Sequence, residues 1–415
     1  MVEEKVMNRW LAVVGAILIQ LALGAIYAWS VFTTALKEAG WTKAETQYVF
    51  AAGLASFAIV MVLAGKMMPK VGPKKLAISG GIVLGLGYVL GGLVGGTSPL
   101  LLTLFLGVVG GSGIGLAYVV PIAVGMRWFP DKKGLITGLA VAGFGFGAML
   151  WVKLAGEWGR LLANVGLSHT FTIYGIVFLV MVVVGGIWMV FPPENWKPKG
   201  WVPPEAKPGQ TAADVNLTPN QMLKTPSFYL IFFIFVFSGG AGLMTIGLMK
   251  LFPLEALQAS GKSAVEASAI AGTAMAVFFS LANGLGRIAW GTLSDKLGRK
   301  LSVIIMCATQ GIMMFAFTKM AGTPGLLFIA ATLIGFNFGG NFSLFPTLTA
   351  DTFGTKHIGQ NYPWVFLAYG VGGIAGPIMG GKLGDLGNFP LAFTICGVLC
   401  IVAAGFAFLV KPQKA

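Results

Sequence analysis

The chain has 415 residues, of which 56% are hydrophobic and 10% charged, with a mean hydropathy of +0.83. Soluble domains carry about 25% charged residues, so a water-soluble domain is excluded and a lipid bilayer is the implied solvent. The net charge of +14 is scattered through short loops between apolar runs, the distribution of a polytopic membrane protein and not of a nucleic-acid-binding face.

A membrane-spanning helix needs about 20 mainly apolar residues. In chain order such runs cover 10–36, 44–68, 76–95, 99–125, 134–156 and 170–191, then 227–252, 264–293, 301–318, 324–349, 362–382 and 390–410. The first run exceeds the roughly 7–15 apolar residues of a signal peptide, so it is expected to remain as the first of twelve spans. Between the sixth and seventh lies a polar, eight-proline segment, 192–226, with a short helix expected near Pro219–Leu223. This divides the chain into an N-terminal six-helix bundle (1–191), a linker (192–226) and a C-terminal six-helix bundle (227–415). Cys307, Cys396 and Cys400 fall in apolar runs and read as membrane-core residues, and His169 and His357 fall in loops. No metal site, cofactor or enzymatic nucleophile–base pair is expected.

Placing the N-terminus inside puts nineteen of the 28 Lys and Arg residues on one side, Lys5, Lys199, Lys207 and Lys414 among them. Eight, including Lys37, Lys43 and Lys250, fall on the other side, and Arg287 lies within a span. This bias places both termini and the linker in the cytoplasm. The halves also repeat: GTLSDKLGRKL at 291–301 follows the eighth span as GKMMPKVGPKKL at 65–76 follows the second, 226 residues earlier. A parallel repeat of six spans about a central linker is the mark of a two-lobed transporter.

The pattern G-x-x-x-D-[RK]-x-G-[RK]-[RK] in these loops resembles the signature of the major facilitator superfamily. The second copy is complete, with Asp295, Lys296, Gly298, Arg299 and Lys300; the first has Pro69 where the acid belongs and Pro73 where a base belongs. The resemblance implies an all-α membrane fold of two pseudo-symmetric six-helix bundles, and a gating role for Asp295 and Arg299.

Within the spans, one charge stands out in FFSLANGLGRIAWG. Arg287 precedes Asp295 by eight residues, about 12 Å along a helix, which sets it deep in a half-bilayer of about 15 Å. A permanently charged guanidinium there reads as a substrate or ion-pair site, the alternative being a structural side chain that snorkels to water. No Asp or Glu occurs in the membrane cores to answer it; Asn283, one turn earlier on the same face, is neutral. The anion that completes the site is therefore expected to be the substrate, and a single fixed cation suits a monoanion. Tyr27, Tyr118, Asn337, Asn341 and Tyr369 lie at similar depth on spans one, four, ten and eleven and are candidates to line the same cavity, each also readable as packing or an interhelical hydrogen bond.

RWFPDKKGL at 127–135, LFPTLTADTFG at 344–354, the pair Asn361–Tyr362 and NGLGRIAWGTLSDKLGR around Arg287 resemble the oxalate/formate antiporter family and its relatives, the monocarboxylate transporters. That resemblance implies that Arg287 binds the substrate carboxylate, with aromatic cage positions at Tyr27, Tyr118, Phe144, Phe338, Phe342 and Phe366. Two departures shape the expectation. The oxalate pattern has a lysine on span eleven for a second carboxylate, where this chain has Tyr369. Animal monocarboxylate transporters have an aspartate for proton coupling, where this chain has Asn283. The expected function is alternating-access transport of a lactate- or pyruvate-like monocarboxylate with a proton, by a monomer in the plasma (inner) membrane. The alternative is proton-independent anion exchange. Gly372, Gly376, Pro377, Gly380 and Gly381 on span eleven are expected to pack closely and kink the helix.

Overall fold

The structure, a computed structural model, describes residues 6–411 apart from 30, 33–34, 37–38, 42, 157, 195, 199, 201–215 and 250, and leaves aside the side chains of 43, 44, 46, 47 and 385. The charge assignments of Lys5, Lys37, Lys199, Lys207, Lys250 and Lys414, the Lys43 side chain, and much of the linker thus lie outside the described residues. Among the described residues, twelve helices are long and apolar enough to span a bilayer: α1 (Arg9–Ala28), α2 (Tyr48–Val71), α3 (Pro73–Val94), α4 (Pro99–Trp128), α5 (Lys133–Ala155), α6 (Leu161–Ile187), α7 (Pro226–Leu248), α8 (Ala264–Leu297), α9 (Arg299–Met320), α10 (Pro324–Phe353), α11 (Ile358–Gly384) and α12 (Phe389–Leu409).

Local chemistry sets the helix starts. Proline occupies the first turn of α3, α4, α7 and α10, where its missing N–H is no loss, and the Ser98, Thr225 and Ser263 hydroxyls cap α4, α7 and α8. The expected linker helix is one capped turn, Pro219–Met222. Two expectations change. Span six is preceded by a short helix from Leu161, which meets the rest of the span at a kink at Gly166 (φ 76°, ψ 179°). His169 consequently sits inside α6, bonded to the Val165 carbonyl at 3.1 Å, and not in a loop. Span one passes through a tight 3-10 turn at Gly24–Ala28 and is helical again at 31–32 and 35–36, with 30, 33 and 34 outside the described residues.

The packing repeats as the sequence does. In the first bundle α1 packs on α5 and α6, and α3 packs on α4 and α6; in the second, α7 packs on α11 and α12, and α9 on α10 and α12. Gly72 and Gly298, 226 residues apart, adopt nearly identical backbones (φ 85°, ψ 154° and φ 85°, ψ 151°) at the starts of α3 and α9, where a Cβ would be strained. The bundles meet along two related seams, α5 on α8 and α2 on α11. Gly372 and Gly376 of α11 press directly on Gly240 of α7, which only a stripe of small residues permits.

The first and last described residues and the described ends of the linker gather on one face, here called the linker face. Arg9 pairs with Asp131 at 3.1 Å, Ser227 donates to the Lys411 carbonyl at 2.9 Å, and the Leu217 amide donates to the Phe353 carbonyl at 2.9 Å. On this face the seams are shut. Gly134 of α5 abuts the Gly291 carbonyl of α8, and Gly65 of α2 abuts the Gly359 carbonyl of α11, so closely that a Cβ at either glycine would clash with backbone.

Candidate anion site between the bundles

The C-terminal part of α8 turns a polar stripe inward. Ser280, Asn283, Arg287, Gly291 and Ser294, spaced three or four apart, are all buried, whereas Leu285, Leu293 and Leu297 on the other faces are exposed. This inverts the pattern of a soluble amphipathic helix and aims Arg287 between the bundles. Arg287 is 0% exposed.

Among the described residues its charge is answered by neutral groups alone. Arg287 Nε donates to Asn283 Oδ1 at 3.1 Å, and Nη1 donates to the Val141 carbonyl of α5, in the opposite bundle, at 3.0 Å. The guanidinium lies over Phe342 of α10 (4.0 Å to the ring centroid) and Phe144 of α5 (5.2 Å). Such cation–π contacts contribute roughly 0.5–2 kcal/mol, less than a carboxylate would. Buried Nη2 has no partner among the described residues.

Around this cation stands a ring of aromatic side chains from both bundles. The Tyr27 hydroxyl of α1 meets the Tyr369 hydroxyl of α11 at 2.7 Å. Tyr27 packs on Phe144 and Phe338, and Tyr118 on Phe144 and Phe366. Tyr27 and Tyr118 lie close enough to the guanidinium to interact with it, and the Tyr118 and Tyr362 hydroxyls have no described hydrogen-bond partner. Fully buried hydroxyls and an unpartnered N–H facing an immobile cation form a set of donors suited to an oxyanion.

The structure thus brings together Arg287, Asn283, Tyr27, Tyr118, Tyr369, Phe144, Phe338, Phe342 and Phe366. Asn337 and Asn341 do not join them. Asn337 donates to Thr309 of α9 at 3.1 Å, and Asn341 accepts from Ser238 of α7 at 2.6 Å, so both spend their amides on neighbouring helices of their own bundle. Sequence reasoning missed Phe57, which touches Tyr118, Phe144, Phe366 and Tyr369, and it used Tyr362 only as a motif residue. The 226-residue offset was the available signal, since it sets Phe57 opposite Asn283 and Met61 opposite Arg287. The Val141 carbonyl carried no sequence signal at all.

Asp295 and Arg299 sit two turns further along, at the linker face. Asp295 accepts the Gly134 and Leu135 amides at 3.1 and 3.0 Å, so an acid from one bundle caps a helix of the other. Arg299 bonds Asp295 at 2.5 Å and Asp351 at 3.1 Å and also donates to Ser294, and Lys133 lies 3.7 Å from Asp351.

Comparison with known proteins agrees with this geometry. The family profile described as Major Facilitator Superfamily matches residues 12–278 and 263–415. The chain belongs to that superfamily, and it is a transporter and not an enzyme. It is 31% identical over 370 residues (88% of this chain, 86% of the relative) to the uncharacterized MFS-type transporter YhjX of Escherichia coli. It is 25% identical to the oxalate:formate antiporter of Oxalobacter formigenes (98% and 92% covered) and 24% identical to apicoplast pyruvate carrier 1 of Toxoplasma gondii (95% and 89%). Among solved structures it is similar in fold to the E. coli fucose:proton symporter, with a TM-score of 0.69, 15% identity, and 97% of this chain and 98% of that one covered. Superfamily membership and the twelve spans make it an integral, multi-pass membrane protein.

Proposed function

We propose that the protein carries small monocarboxylates of the lactate or pyruvate type across a plasma membrane by alternating access, together with a proton. One observation carries this reading: Arg287, fully buried between the bundles, has only neutral partners and one unsatisfied N–H. A carboxylate entering the site adds an acceptor charge to that of the guanidinium, an ion pair that neither Asn283 nor a peptide carbonyl can supply. The tyrosine hydroxyls supply donors for its remaining lone pairs, and the aromatic walls exclude a second hydrated charge. Tyr369, at the place of a second cation, favours one carboxylate over two. Relatives named as carriers of pyruvate and of oxalate and formate support an organic-anion substrate.

The same contacts give the cycle its switch. Arg287 bridges the bundles through the Val141 carbonyl, and Tyr27 bridges them through Tyr369. A bound carboxylate competes for both bridges, loosening the seam from its centre, while Asp295 and Arg299 hold the linker face until the bundles rock. We assign the lobes to 1–191 and 227–415, the linker to 192–226 and the linker face to the cytoplasm on the Lys and Arg bias. The protein acts as a monomer, since each chain holds a complete site. Proton uptake travels with the substrate, because position 283 holds an amide that cannot titrate.

A second reading, exchange of one anion for another without protons, draws on the oxalate:formate antiporter relative. An imposed pH gradient separates the two. Empty proteoliposomes concentrate labelled pyruvate under the gradient if transport is proton-coupled; uptake that needs an internal anion and ignores the gradient selects exchange.

A further inference from the structure

The two seams are mates in the 226-residue repeat, yet their chemistry differs. At the α5–α8 seam two acids, Asp295 and Asp351, balance two bases, Arg299 and Lys133. At the α2–α11 seam the place of Asp295 is taken by Pro69 and that of Arg299 by Pro73. A cleft of about 290 Å³ lies there on the linker face, lined by Pro69, Pro73 and Arg127 from one bundle and by Lys356, His357 and Gly359 from the other. None of the lining residues is acidic.

We propose that this cleft binds a phosphate-type dianion, which stands in for the missing carboxylate and ties the two bundles together on the linker face. The Arg127 guanidinium is held flat over Phe191, 3.8 Å from its centroid, and reaches across the seam to the Lys356 carbonyl at 3.4 Å. Its other N–H groups have no partner among the described residues, in a fork that fits an oxyanion. Burial, then the charges of Lys356 and Arg127, hold the His357 imidazole below its ordinary range. Glu194, the acid nearest to Phe191 in sequence, is exposed and does not line the cleft. Two long helices, α3 and α11, also begin at the cleft with their positive ends. The Gln360 and Asn361 amides fold back on the His357 carbonyl at 2.8 Å each, whereas the Gly359 amide has no acceptor among the described residues.

The cleft is near the lower edge of the roughly 300–1,000 Å³ of small-molecule sites, the size of a headgroup or a small phosphate ester. The dianion can come from solution or from an acidic lipid, and the chemistry of the site is the same. Because its walls come from both bundles, the site is whole only while the linker face is shut, and a bound dianion holds it shut.

The test uses the full chain in phosphatidylcholine nanodiscs, titrated with inorganic phosphate at an ionic strength held constant with chloride, with the melting temperature as readout. A parallel set of nanodiscs contains phosphatidic acid. Saturable stabilisation by phosphate in phosphatidylcholine assigns a soluble dianion; stabilisation by phosphatidic acid alone assigns a lipid headgroup. Arg127→Gln and Lys356→Gln should each weaken the response by roughly tenfold. Pro69→Asp, which restores the carboxylate, should abolish it while raising the melting temperature without phosphate. Arg287→Gln should leave it intact. The proposal is overturned if neither source exceeds the chloride control, if both basic-residue variants respond as the parent does, or if Arg287→Gln removes the response.

Discussion

Replacing Arg287 by methionine separates the energetics of the empty site from those of the loaded one. The substitution keeps an unbranched side chain of similar reach and removes the charge. It deletes two hydrogen bonds from a charged donor, about 1.5–3 kcal/mol each, and two cation–π contacts of about 0.5–2 kcal/mol each. Against that stands the relief of a charge that is 0% exposed with no acid among its described partners. Desolvation of such an ion costs several kcal/mol, so the two sides roughly cancel. The variant should therefore melt close to the parent temperature. The loaded site behaves differently. Losing the charged partner of a buried carboxylate costs about 2–5 kcal/mol, or about 30- to 5,000-fold in affinity. At pyruvate near 100 times the parent Kd, ligand stabilisation of about 2.7 kcal/mol should fall to about 0.9 kcal/mol or less. Differential scanning fluorimetry with and without pyruvate reads both quantities. A variant that melts several degrees lower yet keeps the full pyruvate shift would refute the reasoning, because Arg287 would then be a structural cation.

Four further outcomes follow from the seams and the aromatic ring. Tyr369→Phe removes the hydroxyl bridge to Tyr27 and should weaken monocarboxylate binding by about 5- to 10-fold, the worth of about one hydrogen bond; calorimetric titration checks it. Tyr369→Lys adds a second cation and should shift preference toward oxalate, read by competition against labelled pyruvate; unchanged selectivity contradicts the one-charge argument. Gly138→Leu drives a side chain into the Arg287 carbonyl and the Ile288 Cα across the seam, so spin labels at Lys132 and Lys296 should move apart, and an unaltered distance tells against a shut seam. Asp295→Asn and Arg299→Gln should each favour the open linker face, and because the two share one network the double variant should open it less than additively in the same label measurement.

Much of the fold is legible because the bilayer imposes a length. Twelve apolar runs of about 20 residues could only be spans, and the proline-rich linker could only be their divide. The 226-residue offset also relates the two seams, with Gly65 and Gly291 as mates. Boundaries were less legible: a short helix from Leu161 joins the rest of α6 at Gly166, where a positive φ kinks the chain. Depth was readable, and it singled out Arg287, but direction was not. Asn337 and Asn341 lie as deep as Phe338 and Phe342, yet turn to Thr309 and Ser238 on neighbouring helices. Helical rotation decides that, and a span that is apolar all round carries little rotational signal. Partners that belong to the backbone, such as the Val141 carbonyl, leave no trace in side-chain identity.

The account rests on one charge serving one carboxylate, and labelled pyruvate uptake into proteoliposomes under an inward proton gradient tests it most directly. The parent protein should concentrate pyruvate and be inhibited by lactate, and Arg287→Gln should fall to the rate of empty vesicles although it reconstitutes equally well. Equal uptake by parent and variant, or none by the parent at any substrate concentration, would contradict the central claim.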